Sequence, residues 1–132
     1  METAQNKIVK AALLGAGTVG SGVYQLVQER QEDFPHICGT QIQITKILVR
    51  DASKDREGIP SPLLTDNWNE IIEDDSISII IEVMGGIEPA KSYLLEAMKA
   101  GKQIVTANKD LIAEHGHELL DSAEKYGCDF KF

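Results

Sequence analysis

The sequence predicts an α/β protein, a doubly wound parallel sheet in three αβα layers. Three observations predict it. Short β-branched runs alternate with helical periodicities from end to end, in the order β-α-β-(loop, α)-β-α-β-α-β; strands separated by helices imply parallel pairing through right-handed crossovers. Residues 76–84 (SISIIIEVM) are the most hydrophobic run and read as a central strand buried on both faces. Finally, the residues suited to holding a ligand all follow predicted strands, and sheets of this kind bind ligands beyond the carboxyl ends of their strands.

Each element has its own signal. Residues 7–14 (KIVKAALL) make a strand. From Thr18 the pattern turns helical, with Val19, Val23, Leu26 and Val27 on one side, and runs out in the polar stretch 28–33 before Pro35. Residues 41–49 (QIQITKILV) alternate and then become continuously apolar, as a strand entering a buried sheet does. Residues 51–62 are a polar connection containing Gly and Pro, and Asp66 is placed to cap a short helix ending at Ile72, with Trp68, Ile71 and Ile72 as its apolar side. Gly85 and Gly86 end the central strand, and Pro89 suits the first turn of a helix carrying Ala90, Tyr93, Leu94, Ala97 and Met98 at helical spacing. Gly101 stops that helix. Residues 103–107 (QIVTA) form a short strand, Asn108 caps a helix to about Tyr126, and residues 128–132 (CDFKF) begin one more strand.

Bulk properties narrow the class. The 132 residues suffice for one core, and 42% hydrophobic with 26% charged residues is ordinary for a soluble domain. Thirteen basic against twenty-one acidic side chains give a net charge of −8, which argues against the basic face that nucleic-acid binding needs. No apolar stretch reaches membrane-spanning length, and Met1, Glu2 and Thr3 lack the design of a signal peptide. Cys38 and Cys128 are neither a CxxC pair nor metal-spaced, so both read as reduced thiols of a cytoplasmic protein.

The chemistry-bearing residues begin with 15–20 (GAGTVG), a Gly-x-Gly-x-x-Gly run set between a strand and a helix. Gly15 permits the tight turn, Gly17 lets the backbone approach a pyrophosphate, and Gly20 lets helix and strand pack closely. Ala16, Thr18 and Val19 complete the loop, and the helix starting at Thr18 aims its free N–H groups at the phosphates. This makes the fold Rossmann-type. Without the Lys-Ser/Thr continuation a P-loop is excluded. The second strand ends in Arg50 and Asp51, with Lys54 one turn later. An arginine there accommodates a 2′-phosphate and an acid binds a ribose 2′-hydroxyl, so the two cations favour NADP while Asp51 leaves NAD open. Arg50 lies thirty residues beyond Gly20, against about twenty in the usual pattern, because a polar insertion near residues 31–40 lengthens the crossover; plain solvated loop charge is the competing reading of Arg50 and Lys54.

Met84 and Gly85, with Gly86, could lie against a ribose or nicotinamide ring, or simply form a strand-to-helix turn. In residues 106–109 (TANK), Lys109 sits in the first turn of a helix, where the dipole prefers anions. Local conflicts of this kind gather at functional sites, and the dipole with partial burial would suit Lys109 to proton donation or to holding a ligand. Glu82 inside an apolar strand is either exposed at the strand end or holds an unspecified polar contact. His115 and His117 project about 200° apart on a helix, so no metal site is expected. Trp68 and the phenylalanines read as core or rim packing.

Four pieces in order, residues 15–20 (GAGTVG), 48–51 (LVRD), 81–86 (IEVMGG) with 88–90 (EPA), and 101–109 (GKQIVTANK), resemble the N-terminal nucleotide-binding domain of homoserine dehydrogenase. The resemblance spans essentially the whole chain. It implies an enzyme that interconverts L-aspartate 4-semialdehyde and L-homoserine with NAD(P)H, on the route to threonine and methionine, with Lys109 among the lysines of the catalytic centre. It further implies a homodimeric full-length enzyme. Residues 1–132 are then expected to be the dinucleotide-binding piece of a two- or three-domain protein. The substrate domain, with a second essential lysine and carboxylates, lies beyond it, so the piece is expected to bind cofactor without meaningful turnover. Two other readings are a non-catalytic dinucleotide-sensing module and the cofactor domain of another aspartate- or semialdehyde-type dehydrogenase.

Overall fold

The computed structural model describes residues 7–34 and 39–132. Its elements are β1 (Ile8–Leu14), α1 (Thr18–Glu29), β2 (Gln41–Leu48), a 3-10 turn (Ser61–Leu63), β3 (Leu64–Thr65), α2 (Asn69–Ile72), β4 (Ile77–Glu82), α3 (Ala90–Lys99), β5 (Gln103–Thr106), α4 (Lys109–Tyr126) and β6 (Phe130–Lys131). The strands form one six-stranded sheet in the order β3-β2-β1-β4-β5-β6, and every pairing is parallel. The order reverses between β1 and β4, which is the switch point where such sheets open a ligand crevice. The expected doubly wound α/β fold is what forms.

Two apolar layers sandwich the sheet. Ala12 and Leu14 of β1 join Trp68, Ile71, Leu94, Met98, Leu111 and Leu119 on the face covered by α2, α3 and α4. Leu13, between them, joins Tyr24, Val27, Ile44 and Ile47 on the face covered by α1. That alternation is the period of two of an extended strand. Fully burying each Leu or Ile side chain contributes about 1.5–3 kcal/mol, so the all-buried β1 segment from Ala11 to Leu14 anchors both layers.

The structure corrects four details. The buried side of α1 is Gly20, Tyr24 and Val27, whereas Val19 and Leu26 are 58% and 53% exposed. A Cβ on Gly20 would stand 2.3 Å from the Gly15 carbonyl oxygen; Gly20 therefore faces the sheet and sets the helix phase, turning Val19 and Leu26 outward. The two-residue β3, paired with Ile47 and Leu48, was not expected, being too short to show a period. Asp66 does not cap α2. Thr65 Oγ1 accepts from the Asn67 N–H and Asn67 Oδ1 from the Asn69 N–H, at 3.1 and 3.0 Å. The last strand begins at Phe130 rather than at residue 128. The expectations for Met1, Glu2, Thr3, Pro35 and Cys38, and part of the 31–40 insertion, fall outside the described residues.

Candidate functional site

The register levels the carboxyl ends of the central strands. Leu14 pairs with Leu48 on one side and Glu82 on the other, and Glu82 pairs with Thr106. The Gly15, Val83 and Ala107 N–H groups then bond across to the Leu48, Leu14 and Glu82 carbonyls at 2.9, 3.0 and 3.1 Å. Four connecting segments therefore meet on one shelf.

The first is the glycine turn. Gly15 has φ +105°, and its ideal Cβ would lie 3.0 Å from Met84 Cα, so this turn requires glycine both for conformation and for contact. Gly20 is required for contact alone. Gly17 is different. Its φ of −73° and ψ of −157° suit any residue, and a Cβ there would meet nothing within 4 Å. It is the N-cap of α1, with no side-chain cap bond and no acid in the first turn. The first N–H groups of that helix are thus left for a partner outside the described side chains. An open, Cβ-free approach to unfilled amide donors fits a pyrophosphate.

The second segment follows β2. Arg50 and Lys54 are exposed, and neither makes an ion pair among the described residues. Asp51 is engaged locally: its Oδ1 accepts from Ser53 Oγ at 2.6 Å and from the Ser53 N–H at 3.0 Å. The Ser53 hydroxyl and amide, with lesser help from nearby Lys54 and Arg56, hold the carboxyl below its ordinary range. Arg56 also belongs here; its Nε is buried without a partner. Sequence reasoning passed it over, since a single arginine in a polar loop carries no signal.

The third and fourth segments share Glu82. This carboxylate is fully buried, so the expectation that it might lie exposed at the strand end does not hold. Its Oε2 accepts from the Met84 and Gly85 N–H groups at 3.0 and 3.1 Å, and its Oε1 accepts from the Thr106 hydroxyl at 2.5 Å. Thr106 Oγ1 in turn accepts from the Asn108 N–H at 3.1 Å. Asn108 caps α4 by accepting from the Leu111 N–H, and its amide donates to the Gly86 carbonyl at 2.6 Å. Gly85 and Gly86 have φ of +76° and +74°, with open space where a Cβ would stand. Lys109 opens α4 and is exposed, without the partial burial expected of it.

Away from the shelf, His115 sits where α4 kinks, at φ −131°, and its Nδ1 lies 3.6 Å from Glu118 Oε1. His117 is exposed, and the described residues contain no cluster of three metal-capable side chains. Trp68 packs in the core, stacking on Tyr93 at 4.4 Å between centroids and donating to Glu96. Burial raises the Cys128 thiol above its ordinary value, and Sγ donates to the Lys102 carbonyl. Grooves of about 460 and 420 Å³ lie along α4 and beside the amino ends of β1 and β2, and neither touches the shelf. No described helix is long and apolar enough to cross a membrane.

A reversed-order parallel sheet, a glycine turn feeding an unfilled helix N-terminus and a cation-bearing second strand end define a dinucleotide-binding domain of the Rossmann type. Comparison with known proteins specifies which one. Residues 15–132 match the family model described as the NAD binding domain of homoserine dehydrogenase. Homoserine dehydrogenase of Bacillus subtilis is 44% identical over 127 residues, which cover 96% of this chain and 29% of the relative. The crystal structure of the Staphylococcus aureus homoserine dehydrogenase at pH 6.0 superposes with a TM-score of 0.88 at 48% identity, over 96% of this chain and 33% of that one. That of Thiobacillus denitrificans gives 0.88 at 34% identity, over 97% and 30%. The chain belongs to the homoserine dehydrogenase family as its NAD(P)-binding domain, and it spans under a third of the Bacillus subtilis relative's length.

Proposed function

We propose that this chain binds NADP(H) across the shelf, as the cofactor domain of an enzyme that interconverts L-homoserine and L-aspartate 4-semialdehyde. The observation that carries the cofactor reading is Gly17. It is a glycine with no conformational need to be one, open to solvent, at the head of an uncapped helix. Gly15, Ala16, Gly17, Thr18, Val19 and Gly20 would hold the pyrophosphate, and Met84 and Gly85 would support the nicotinamide ribose. Bound there, the nicotinamide supplies the hydride chemistry. Lys109, at the head of α4, would supply or relay a proton to the substrate oxygen. In this reading residues 1–132 form one domain of a longer enzyme.

The preference for NADP over NAD rests on charge. Arg50 and Lys54 are exposed and free of ion pairs among the described residues, while the Asp51 carboxylate is taken up by Ser53. Two cations are thus available to a 2′-phosphate, and the acid that would chelate a ribose diol is turned into its own loop. Parallel titrations with NADPH and NADH test this; tighter binding of NADPH is expected, and equal affinities would overturn the preference. Hydride transfer needs both reactants at contact distance, and neither groove described above adjoins the shelf. The 132-residue chain with NADP+ and L-homoserine is therefore expected to generate no reduced nicotinamide absorbance. Measurable turnover by this chain would overturn that part of the reading.

A further inference from the structure

We infer that Glu82 is a positioning residue for the nicotinamide half of the cofactor, acting through the loop that follows β4; the inference rests on the cofactor reading above. Glu82 is a carboxylate with no exposed surface, in a strand whose other central residues are isoleucines. Among the described residues it makes no ion pair. A buried charge without a counter-ion is costly and persists only when its lone pairs are fully used. An isoleucine would fill the strand without that cost, so the carboxylate does something packing does not.

Its bonds say what. The two oxygens tie together the segments after β4 and β5: Oε2 takes the Met84 and Gly85 amides and, at 3.5 Å, the Asn108 side-chain amide, and Oε1 takes the Thr106 hydroxyl. Thr106 passes the constraint to the Asn108 amide, and Asn108 returns it to the Gly86 carbonyl. The ring closes on the two consecutive glycines with φ of +76° and +74°, which have little conformational preference of their own. Glu82 thus fixes the start of a glycine loop whose far end Asn108 holds. The loop is the surface on which a nicotinamide ribose would rest, whereas the adenosine end lies across the sheet at Arg50.

Two oxygens that both accept cannot be replaced by an amide. In Glu82→Gln, either the NH2 group faces the Met84 and Gly85 donors, or it faces Thr106 and leaves the hydroxyl proton without an acceptor. Thr106→Val breaks the same ring from the other side, and Thr106→Ser preserves it. The test compares the affinity of each variant for NADPH and for 2′-phospho-ADP (adenosine 2′-phosphate 5′-diphosphate), which has the same adenosine end and both bridging phosphates but neither the nicotinamide nor its ribose. Glu82→Gln and Thr106→Val are expected to weaken NADPH about tenfold, the effect of losing one charge-assisted anchor. They should leave 2′-phospho-ADP unchanged, and Thr106→Ser should match the wild type for both. Equal weakening of both ligands would reduce Glu82 to a folding role and overturn the inference. So would no weakening of either, or a wild type that binds NADPH no tighter than 2′-phospho-ADP. Failure of the folded wild type to bind either ligand would instead overturn the cofactor reading itself. If Glu82→Gln does not fold, the Thr106 pair decides alone.

Discussion

Gly17→Ala separates binding from folding in a single methyl group. Alanine accepts φ −73° and ψ −157° without strain, and its Cβ would meet no protein atom within 4 Å. Two small effects on stability oppose each other. Loss of glycine at an N-cap costs a few tenths of a kcal/mol or more, and the stiffer unfolded chain returns about 0.4–1 kcal/mol. The net change is expected to stay within about 1 kcal/mol. Binding should respond quite differently. The added methyl occupies the approach to the first amides of α1, so the pyrophosphate is held off at least two of them. Hydrogen bonds to a charged partner contribute about 1.5–3 kcal/mol each, and losing two weakens NADPH by about a hundredfold or more. Thermal melts and fluorescence titration of NADPH, run on the same preparations, read both quantities. An alanine variant that melts like the wild type and binds NADPH equally well would refute the placement of the pyrophosphate at this turn.

Gly20→Ala should show the opposite pattern. Its Cβ would be driven to 2.3 Å from the Gly15 oxygen and 2.8 Å from the Gly15 carbonyl carbon, so the melting temperature falls by the equivalent of about 1–3 kcal/mol or more, and an unchanged melt would count against the close packing of α1 on the turn. Arg50→Ala is expected to weaken NADPH by about 1.5–3 kcal/mol and to leave NADH nearly unaffected; equal losses for the two cofactors would remove Arg50 from the 2′-phosphate. Lys102 is buried and donates to the Asp74 and Ile77 carbonyls at 2.8 and 2.6 Å, closing the turn into β4. Lys102→Met removes both of these bonds, leaving the Asp74 carbonyl only the Ile77 N–H, and denaturant unfolding should show a loss of about 1–3 kcal/mol or more, with no loss excluding that role. The Ser76 hydroxyl and amide hold the Asp74 carboxyl below the ordinary aspartate range. A depressed carboxylate stabilises the fold above its unfolded pKa and loses that contribution as pH falls through the folded one. Wild type should therefore be more stable than Asp74→Asn above about pH 3.8, and the difference should shrink as the medium is acidified below it. A difference independent of pH would contradict this.

The layers and the order of the main elements along the chain were legible because each crossover carried its own signal: apolar runs of strand length, helical spacing at Ala90, Leu94, Ala97 and Met98, and punctuation at Gly101 and Asn108. What escaped is physically instructive. The phase of α1 differs from its hydrophobic pattern because Val19 and Leu26 look like core residues yet are exposed. Gly20 decides the phase, because only a glycine can stand against the Gly15 carbonyl, and hydrophobicity counts give glycine no weight. β3 has two residues and exists through pairing with Ile47 and Leu48, which no local pattern records. At the shelf, the glycines, Arg50 and Lys109 stood out as residue types in telling places. The part played by Glu82 did not, because its partners are the amides of Met84 and Gly85 and a hydroxyl 24 residues away. A carboxylate inside an isoleucine strand was the only visible trace of that ring.

Amide chemical-shift mapping of the 132-residue chain during titration with NADPH tests the central claim most directly. The account predicts saturable shifts concentrated at Gly17, Thr18, Val19 and Gly20, at Arg50 through Lys54, and at Met84, Gly85 and Gly86. Shifts centred instead on the groove beside Gln28 and Gln43, or no saturable shifts from a folded chain, would contradict it.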